Sequence, residues 1–323
     1  MKAIVYHQYG PPDVLQYADI EKPVPKDNEV LIRIRAASVN PLDWHFVRGT
    51  PYLIRPLMMG LRKPKVPRLG VDVAGEVEAV GKDVTSFKPG DAVFGTCRGA
   101  FAEYGCAPEK SLATKPRNLT FEQAAAVNVA GFTALQAIRD SGNVQPGYKV
   151  LVNGAAGGVG TFAVQIAKHY GAEVTGVCST GNVEMLRSIG ADHVIDYTQE
   201  DFTKGTKRYD VILDSIGNHS FSAIKGVLSP KGICVVIGAK DDGTWFGPML
   251  WLFKVALRWI LRDRQFAMCR AKGNKADLEI LRDLIEAGKI TPVIDRRYNL
   301  REVPQAIGYV EQGHARGKVV ITV

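Results

Sequence analysis

The sequence predicts an α/β protein of two domains, one β-rich and one built on a parallel sheet that helices cover on both faces. Residues 1–120 contain short strand-like runs separated by turns with Pro and Gly. From Phe121 onward, strand-like and helix-like segments alternate. These later strands are continuous β-branched apolar runs, which are typical of parallel strands buried on both faces.

The predicted elements follow one another in this order. The β-rich part has strands at Lys2–Tyr6, Glu29–Ala37, Asp72–Val80 and Asp91–Phe94. The second part has helices at Phe121–Asn128, Thr133–Ser141, Val159–Tyr170, Val183–Gly190 and Ser220–Leu228, and strands at Lys149–Asn153, Ala172–Cys178, His193–Asp196, Asp210–Asp214 and Gly232–Gly238. A helix at Lys275–Gly288, a strand at Ile290–Ile294, a helix at Glu302–Gln312 and a strand at Gly317–Val323 follow. We place one domain at residues 1–120 and 290–323 and the other at 121–289.

Composition argues against several classes of protein, among them nucleic-acid-binding and disulfide-bonded proteins. The formal net charge is +8, but the basic residues are scattered and no aromatic-interleaved basic motif occurs, so we expect no nucleic-acid partner. The mild excess of positive charge also suits anionic cofactors or lipid headgroups. Five widely spaced cysteines without a C-x-x-C pair argue against disulfides and structural zinc. A strand pattern starts at Met1 without targeting features, so we expect a cytoplasmic protein.

A glycine cluster lies between a predicted strand and a predicted helix. Its pattern is A-x-G-x-x-G, with Ala155 where a first glycine is usual, followed by Gly157 and Gly160. Gly157 lets the backbone approach a pyrophosphate, and Gly160 lets the helix pack close to the strand. The alternative is a glycine-rich turn without a ligand. We predict a dinucleotide site formed by Ala155, Gly157, Gly158, Val159 and Gly160.

Spaced motifs along nearly the whole chain now indicate a family. They are Met1–Val5, Gly10–Leu15, Ala37–Trp44, Gly70–Val77, Phe87–Gly95, Asn153–Gly160, Gly190–Tyr197 and Gly317–Ile321. The chain resembles the medium-chain dehydrogenase/reductase superfamily, and within it the zinc-independent quinone oxidoreductase branch. The resemblance implies a GroES-like partial β-barrel domain, a Rossmann doubly wound domain and an active site in the cleft between them.

Zinc-dependent members of this superfamily supply Cys, His and Cys ligands. The corresponding positions here are Ala37, Val71 and Ala130, none of which can ligate a metal. The four-cysteine lobe of the family is also missing after Gly95. We therefore expect no metal site.

Without a Lewis acid, hydride addition to a quinone or to the β-carbon of an enone is easier than alcohol oxidation, because conjugation spreads the developing charge. In the resembling enzymes, residues at the positions of Asn40 and Tyr52 line the cleft. Tyr52 can donate a hydrogen bond as a neutral phenol, and Arg48 can supply charge. We predict these three as catalytic, with a loop aromatic at the cleft edge as the alternative for Tyr52. Thr133 is expected to face the nicotinamide.

The end of the second predicted strand bears on the choice of nicotinamide cofactor. No carboxylate follows Cys178 there, and Ser179 and Thr180 can donate to a 2′-phosphate. The resemblance adds Tyr197 beside that phosphate. The cations that relatives carry near Gly181 are missing, so we expect NADP(H) to be preferred and NAD(H) to be possible.

Three further residues are assigned to the cofactor. Ile216 and Gly217 follow a strand at the carboxyl edge of the sheet, where ligands bind in this architecture. Lys318, near the C-terminus, can reach the cofactor, and a solvated charge cluster before an edge strand is its alternative.

The segment 243–272 is rich in Trp, Leu and Phe and interrupts the alternation. Within it, Lys254, Arg258 and Arg262 lie on one face of a predicted helix that is too short and too charged to span a bilayer. A hydrophobic lid or packing element is favoured over membrane contact through residues 245–262, and a dimer contact is a further alternative. If the segment lines the cleft, it implies a lipophilic substrate.

The leading hypothesis is an NADPH-dependent reductase of a small lipophilic carbonyl or quinone. A zinc-free alcohol or aldehyde dehydrogenase is the second hypothesis, and a non-catalytic NADPH-binding protein that docks on membranes or partners is the third. The resemblance also implies a homodimer.

Overall fold

The computed structural model describes residues 1–238, 253, 257 and 265–323 of the chain. The strands are β1 (Lys2–Val5), β2 (Gln16–Asp19), β3 (Glu29–Val39), β4 (Asp72–Val80), β5 (Ala92–Thr96), β6 (Tyr104–Pro108), β7 (Leu112–Thr114), β8 (Lys149–Asn153), β9 (Glu173–Cys178), β10 (His193–Asp196), β11 (Tyr209–Asp214), β12 (Leu228–Val236), β13 (Phe266–Met268), β14 (Ile294–Asn299) and β15 (Lys318–Thr322). The α-helices are α1 (Pro41–Arg48), α2 (Phe121–Ala125), α3 (Asn128–Gln136), α4 (Gly158–His169), α5 (Val183–Ser188), α6 (Phe221–Val227), α7 (Lys275–Glu286) and α8 (Val303–Glu311).

The chain divides into two compact units. The first comprises Met1–Phe132 and Gly273–Val323, and the second comprises Thr133–Lys272. These bounds differ from residues 120 and 290, which the sequence indicates. One reason is that α7 is tied to the first unit by hydrogen bonds from Arg117 N to Glu286 Oε1 (2.9 Å) and from Asn118 Nδ2 to Ile285 O (2.8 Å).

The first unit is built on a mainly antiparallel sheet. Its strands follow the order β14-β15-β3-β4-β5-β7, and β6 pairs with β3 beside this path. Only the β14–β15 pair of this sheet is parallel among the described residues. Buried side chains of β3, β4, β15 and α8 form one hydrophobic core, which includes Ile32, Val73, Val303 and Ile321.

The second unit is built on a parallel sheet of six described strands in the order β10-β9-β8-β11-β12-β13. Renumbered along the chain, this order is 3-2-1-4-5-6, which is typical of dinucleotide-binding doubly wound folds. The strand order reverses between β8 and β11, so a ligand crevice is expected outside the carboxyl ends of these two strands.

Several elements differ from the sequence prediction, which did not include α1, β2, β6 and β7 and which began the helix now labelled α3 at Thr133 instead of Asn128. The expected strand Ile290–Ile294 is wrong, because the strand begins at Ile294 and continues through a polar, partly exposed edge to Asn299. Apolar periodicity does not mark such an edge strand. The segment 243–272, expected to interrupt the sheet, contributes β13.

The rest of that segment, including the predicted helix and the membrane or lid surface at 245–262, lies outside the described residues except for Phe253 and Leu257. These two side chains are 65% and 43% exposed. No helix of the described residues combines the length and apolarity needed to cross a bilayer.

The first turn of α4 lies directly against the turn that follows β8. A Cβ atom added at Gly160 would lie 2.2 Å from Gly154 O and 2.7 Å from Ala155 C. Both contacts involve backbone atoms, which cannot swing aside as a side chain can. Only glycine at position 160 therefore lets the helix start this close to the strand.

We expect Gly160→Ala to lower the free energy of unfolding by about 1–3 kcal/mol, because the added methyl group forces the helix away from the turn. Gly226→Ala is the matched control, since a Cβ there meets nothing within 4 Å. The control should be neutral or stabilising by about 0.4–1 kcal/mol. Chemical denaturation of both variants measures the difference, and equal behaviour would contradict the close approach.

Candidate active site

The glycine turn of the second unit forms an open cradle at a helix N-terminus. Gly154 has φ +83°, a conformation that favours glycine, and α4 begins at Gly158 with Gly157 as its N-cap. A Cβ at Gly157 would meet only Gly154 O, at 3.4 Å. The unpaired N–H groups of the first helical turn therefore face a space that a phosphate can enter.

Ala155 occupies the position of the missing first glycine without strain. Its side chain is fully buried, and its N–H donates to Val177 O on β9 at 3.1 Å. A Cβ on Gly176 of β9 would lie 3.2 Å from the Ala155 Cβ. The bare backbone at Gly176 thus accommodates the extra methyl group, a compensation that the linear motif does not reveal.

Polar side chains at the ends of β8 and β11 fix the backbone beside the glycine turn. Asn153 Nδ2 donates to Asp214 Oδ1 at 2.9 Å, across the point where the strand order reverses. The same oxygen accepts the N–H groups of Ile216 (3.1 Å) and Gly217 (2.9 Å). The Ile216 side chain comes within 2.9 Å of a Cβ placed on Gly154, so Ile216 lies beside the glycine turn.

Two buried polar atoms also indicate that a ligand binds at the carboxyl edge of the parallel sheet. Asp214 Oδ2 and Ser215 Oγ are buried and have no hydrogen-bond partner in the described part of the chain. Such buried polar groups are costly unless something completes their hydrogen bonds. Together with the open cradle at Gly157, they fit a polar ligand at the carboxyl edge of the sheet.

Beside the end of β9 lies a carboxylate from the neighbouring strand, which the sequence reasoning missed. Thr180 Oγ1 donates to Asp196 Oδ2 at 2.5 Å. No carboxylate follows Cys178 along the chain, as the sequence indicates, but the carboxylate of Asp196 reaches the same place from another strand. Asp196 ends β10, the neighbouring strand, and the register pairs it with Cys178. The residues that follow Cys178 in the sequence do not reveal a carboxylate that lies on the neighbouring parallel strand.

Three more residues bear on the predicted cofactor site. Tyr197 is 59% exposed, and its N–H donates to Cys178 O at 3.0 Å. Arg187, the nearest cation in the sequence, pairs with Glu184 at 2.6 Å on the same helix. Thr133 is buried in α3, and its carbonyl accepts a hydrogen bond from the Cys269 thiol at 3.9 Å.

In the first unit, Asp72 organises a buried polar cluster. Its side chain is fully buried on β4. It accepts five hydrogen bonds, from Ser38 Oγ (2.6 Å), Asn40 Nδ2 (2.8 Å), Asn128 Nδ2 (3.0 Å), Val129 N (3.1 Å) and Lys318 Nζ (3.3 Å). One carboxylate thus links β3, β4, β15, α3 and the start of α1.

Asn40 and Lys318 meet in this cluster. Lys318 Nζ donates to Asn40 Oδ1 at 2.7 Å and to Val39 O at 3.2 Å. Lys318 is only 3% exposed, so its ammonium group is held inside the first unit. This placement makes Lys318 the cation that balances Asp72, and the solvated charge cluster considered for it is wrong.

Asp43 lies beside the cluster and stabilises the start of α1. Its Oδ2 accepts the N–H of Asn40 (2.8 Å), and its Oδ1 accepts the N–H of Gly70 (3.1 Å). Burial raises the pKa of the Asp43 carboxyl to about 7, against the opposite influence of these two donors. These contacts give Asp43 a bracing role between α1 and the segment before β4.

The two other residues predicted as catalytic lie at the end of α1 and in the loop after it. The Arg48 guanidinium makes a two-point ion pair with Glu311 of α8, at 2.7 and 3.0 Å. Tyr52 is half-buried, and the Arg55 guanidinium lies 4.6 Å from its ring centre. Arg48 therefore has a structural partner, whereas the Tyr52 ring is positioned by a neighbouring cation.

A cavity of about 360 Å³ opens beside Asp43 in the first unit. Its apolar lining comes from Leu42, Phe46, Met59, Val66 and Leu69. Arg68 and Arg98 also border it. The volume lies within the range of small-molecule sites, and the lining suits an apolar molecule.

Comparisons with known proteins decide the family. Residues 26–117 match the model of the alcohol dehydrogenase GroES-like domain, and residues 189–321 match the model of the zinc-binding dehydrogenase. The mouse mitochondrial NAD(P)H oxidoreductase RTN4IP1 is 35% identical over 100% of this chain and 89% of its own. The chain belongs to the medium-chain dehydrogenase/reductase superfamily.

Further similarities place it in the quinone oxidoreductase branch. The 2-methylene-furan-3-one reductase of tomato is 36% identical over 99% of this chain and 79% of its own. The structure of the Escherichia coli quinone oxidoreductase complexed with NADPH superposes with a TM-score of 0.83 at 26% identity, over all of both chains. The predicted fold, a GroES-like domain and a Rossmann domain, is confirmed. The protein is an NAD(P)H-dependent oxidoreductase.

The three positions that the resemblance equates with zinc ligands all lie in the first unit of this oxidoreductase. Ala37 lies on β3, Val71 precedes β4, and Ala130 lies on α3. Within the described ranges, no group of three or more His, Cys, Asp or Glu side chains could hold a metal ion. The polar residues near these positions are instead the members of the Asp72 cluster.

The Asp72 cluster also contains residues that sequence reasoning did not assign. Ser38 and Asn128 are fully buried polar side chains within otherwise apolar stretches of β3 and α3. A lone polar residue in an apolar helix or strand is the one feature that could have indicated them, because buried polar groups need partners.

We expect Lys318→Met to lower the free energy of unfolding by about 3–5 kcal/mol, because Asp72 then stays buried without its cation. The double variant Lys318→Met with Asp72→Asn should recover part of this loss. Lys82→Met is the control, since it breaks the Lys82–Asp27 pair, whose side chains are 72% and 64% exposed. Chemical denaturation of the three variants provides the comparison, and equal losses for Lys318→Met and Lys82→Met would contradict the buried pair.

Proposed function

We propose that this protein transfers hydride from NADPH to a quinone or to the β-carbon of an α,β-unsaturated carbonyl, without a metal ion. The observation that carries the proposal is the chemistry of the three positions where zinc-dependent members place ligands. Ala37, Val71 and Ala130 have no atom that binds zinc. A conjugated acceptor needs no Lewis acid, because its developing charge is delocalised.

The second unit is proposed to bind the cofactor. The pyrophosphate would lie at the start of α4, held by Ala155, Gly157, Gly158, Val159 and Gly160. The adenosine half would contact Ser179, Thr180 and Tyr197. The nicotinamide half would contact Thr133, Ile216 and Gly217. When bound, the cofactor supplies the hydride. The carboxyl-edge placement of Gly157 and Ile216 and the unpartnered Asp214 Oδ2 support this assignment.

The first unit is proposed to hold the acceptor oxygen. Asn40 Nδ2 carries two hydrogens, and one of them is donated to Asp72, so the other can be donated to a carbonyl. Its amide is polarised by Lys318, which donates to Asn40 Oδ1. Tyr52 can donate a second hydrogen bond from its phenol. These donors would stabilise the enolate that forms when hydride adds to the β-carbon.

The cavity lined by Leu42, Phe46 and Met59 supports a lipophilic acceptor. The names of two relatives point the same way, since one reduces 2-methylene-furan-3-one and another is a quinone oxidoreductase. Arg48 stays a predicted contributor, although Glu311 already pairs with its charge. A cytoplasmic location and a homodimer stay predictions from the sequence.

We expect purified protein to oxidise NADPH in the presence of a quinone or a long-chain enone, and to do so equally with and without a metal chelator. Loss of NADPH absorbance measures the rate, with an aldehyde and NADH run in parallel. Turnover of the aldehyde alone, or loss of activity with chelator, would contradict the proposal. NADPH binding without turnover of any acceptor would instead favour a non-catalytic role.

The variant Tyr52→Phe belongs to the same assay. It should lower kcat about 10-fold or more, as expected when a donor to a developing oxyanion is removed. Tyr104→Phe is the control, because Tyr104 lies on β6 and makes a cation–π contact with Lys22. An unchanged kcat in Tyr52→Phe would remove Tyr52 from the catalytic set while leaving the reaction itself intact.

A further inference from the structure

The Asp196 carboxylate stands where the third strand of the parallel sheet meets the end of the second. It accepts Thr180 Oγ1 at 2.5 Å, Thr198 N at 3.0 Å and Oγ1 at 2.8 Å, and Gln199 Nε2 at 3.0 Å. These donors fix the carboxylate in place, and the hydrogen bond from Thr180 is the main cause that lowers its pKa. Asp196 is therefore a fixed negative charge at neutral pH.

The hydroxyl group of Thr180 has a single hydrogen to donate. Thr180 donates that hydrogen to Asp196 Oδ2, and the Thr198 hydroxyl, 3.1 Å from the Thr180 oxygen, donates its own to Asp196 Oδ1. The Thr180 oxygen therefore offers only lone pairs to a ligand. A phosphate, which offers acceptors alone at neutral pH, gains no hydrogen bond from this residue. A sugar hydroxyl, in contrast, can donate to the Thr180 oxygen or to Asp196.

The other charged side chains that line the cavity at Asp196 do not neutralise its negative charge. A shallow cavity of about 630 Å³ joins Thr180 and Asp196 to Glu184, Arg187 and Glu200. The three carboxylates and one guanidinium sum to −2, and Arg187 already pairs with Glu184 at 2.6 Å. The side chains that line this cavity, beside the end of β9, thus carry a net negative charge, although the whole chain is basic.

In doubly wound folds the adenosine ribose lies at the end of the second strand, where its 2′ substituent is recognised. We propose that Asp196 is a specificity-determining residue that disfavours the 2′-phosphate of NADPH and so lets this reductase use NADH as well. This inference rests on the proposed cofactor site. It differs from the usual arrangement, in which the discriminating acid ends the second strand itself.

The expected size of the effect follows from Coulomb's law. A carboxylate and a phosphate several ångströms apart near a protein surface repel each other enough to change affinity by about 3- to 10-fold. Salt screens the repulsion between exposed charges, so the effect should shrink at high ionic strength.

The test compares two fragments that differ only in the 2′-phosphate, 2′,5′-ADP and 5′-AMP. Calorimetric titration of the full chain gives the Kd of each without any turnover. Asp196→Asn should tighten binding of 2′,5′-ADP by about 3- to 10-fold and change the Kd of 5′-AMP less than twofold. The gain should fall when the titration is repeated at 1 M salt.

Asp201→Asn is the matched control. It removes the same charge five residues along the chain, where the Asp201 carboxylate accepts Thr203 N at 2.9 Å and Oγ1 at 2.7 Å. It should leave the ratio of the two Kd values unchanged. A shift of that ratio in Asp201→Asn as large as in Asp196→Asn would indicate net charge as the cause and overturn the inference.

The remaining outcomes separate this inference from the proposed function. If the wild type binds both fragments and Asp196→Asn leaves their Kd ratio unchanged, the role of Asp196 is refuted and the cofactor site stands. If neither fragment binds the wild type, the cofactor site itself is refuted, and the inference falls with it.

Discussion

The approach of α4 to the turn after β8 is the constraint on which the second unit depends. Gly160 lies so close to Gly154 O that any side chain would separate the helix from the sheet. The same closeness aims the N-terminus of α4 at the crevice where the strand order reverses. The proposed cofactor site therefore depends on the same contact that packs α4 on the sheet. Gly176 adds to this packing by leaving room for Ala155.

The first unit depends on a different kind of interaction. Asp72 and Lys318 are buried together, and the Asp72 cluster joins three strands to the starts of α1 and α3. A charge pair of this kind costs desolvation, which its geometry and hydrogen bonds must offset. What it supplies is a fixed orientation for Asn40, the side chain proposed to meet the acceptor oxygen. Members of the Asp72 cluster thus stand next to Ala37 and Val71 in the sequence and near Ala130.

The features that the sequence predicted well are those encoded locally. The glycine turn and the β–α alternation depend on neighbours in the chain, and periodicity and glycine spacing report on these. Contacts between distant segments were missed. Asp196 reaches Thr180 from the neighbouring strand, and Lys318 reaches Asp72 from the far end of the chain. Strand β14 lies on a polar edge without an apolar pattern.

The central claim, hydride transfer to the β-carbon of a conjugated acceptor, is tested most directly by isotope labelling. NADPH carrying deuterium at the transferred position of C4 is incubated with the protein, a chelator and an enone, and the product is examined by NMR. Hydride transfer to the β-carbon gives a saturated ketone with deuterium on that carbon. Deuterium on the carbonyl carbon of an allylic alcohol, or a product without deuterium, would contradict it.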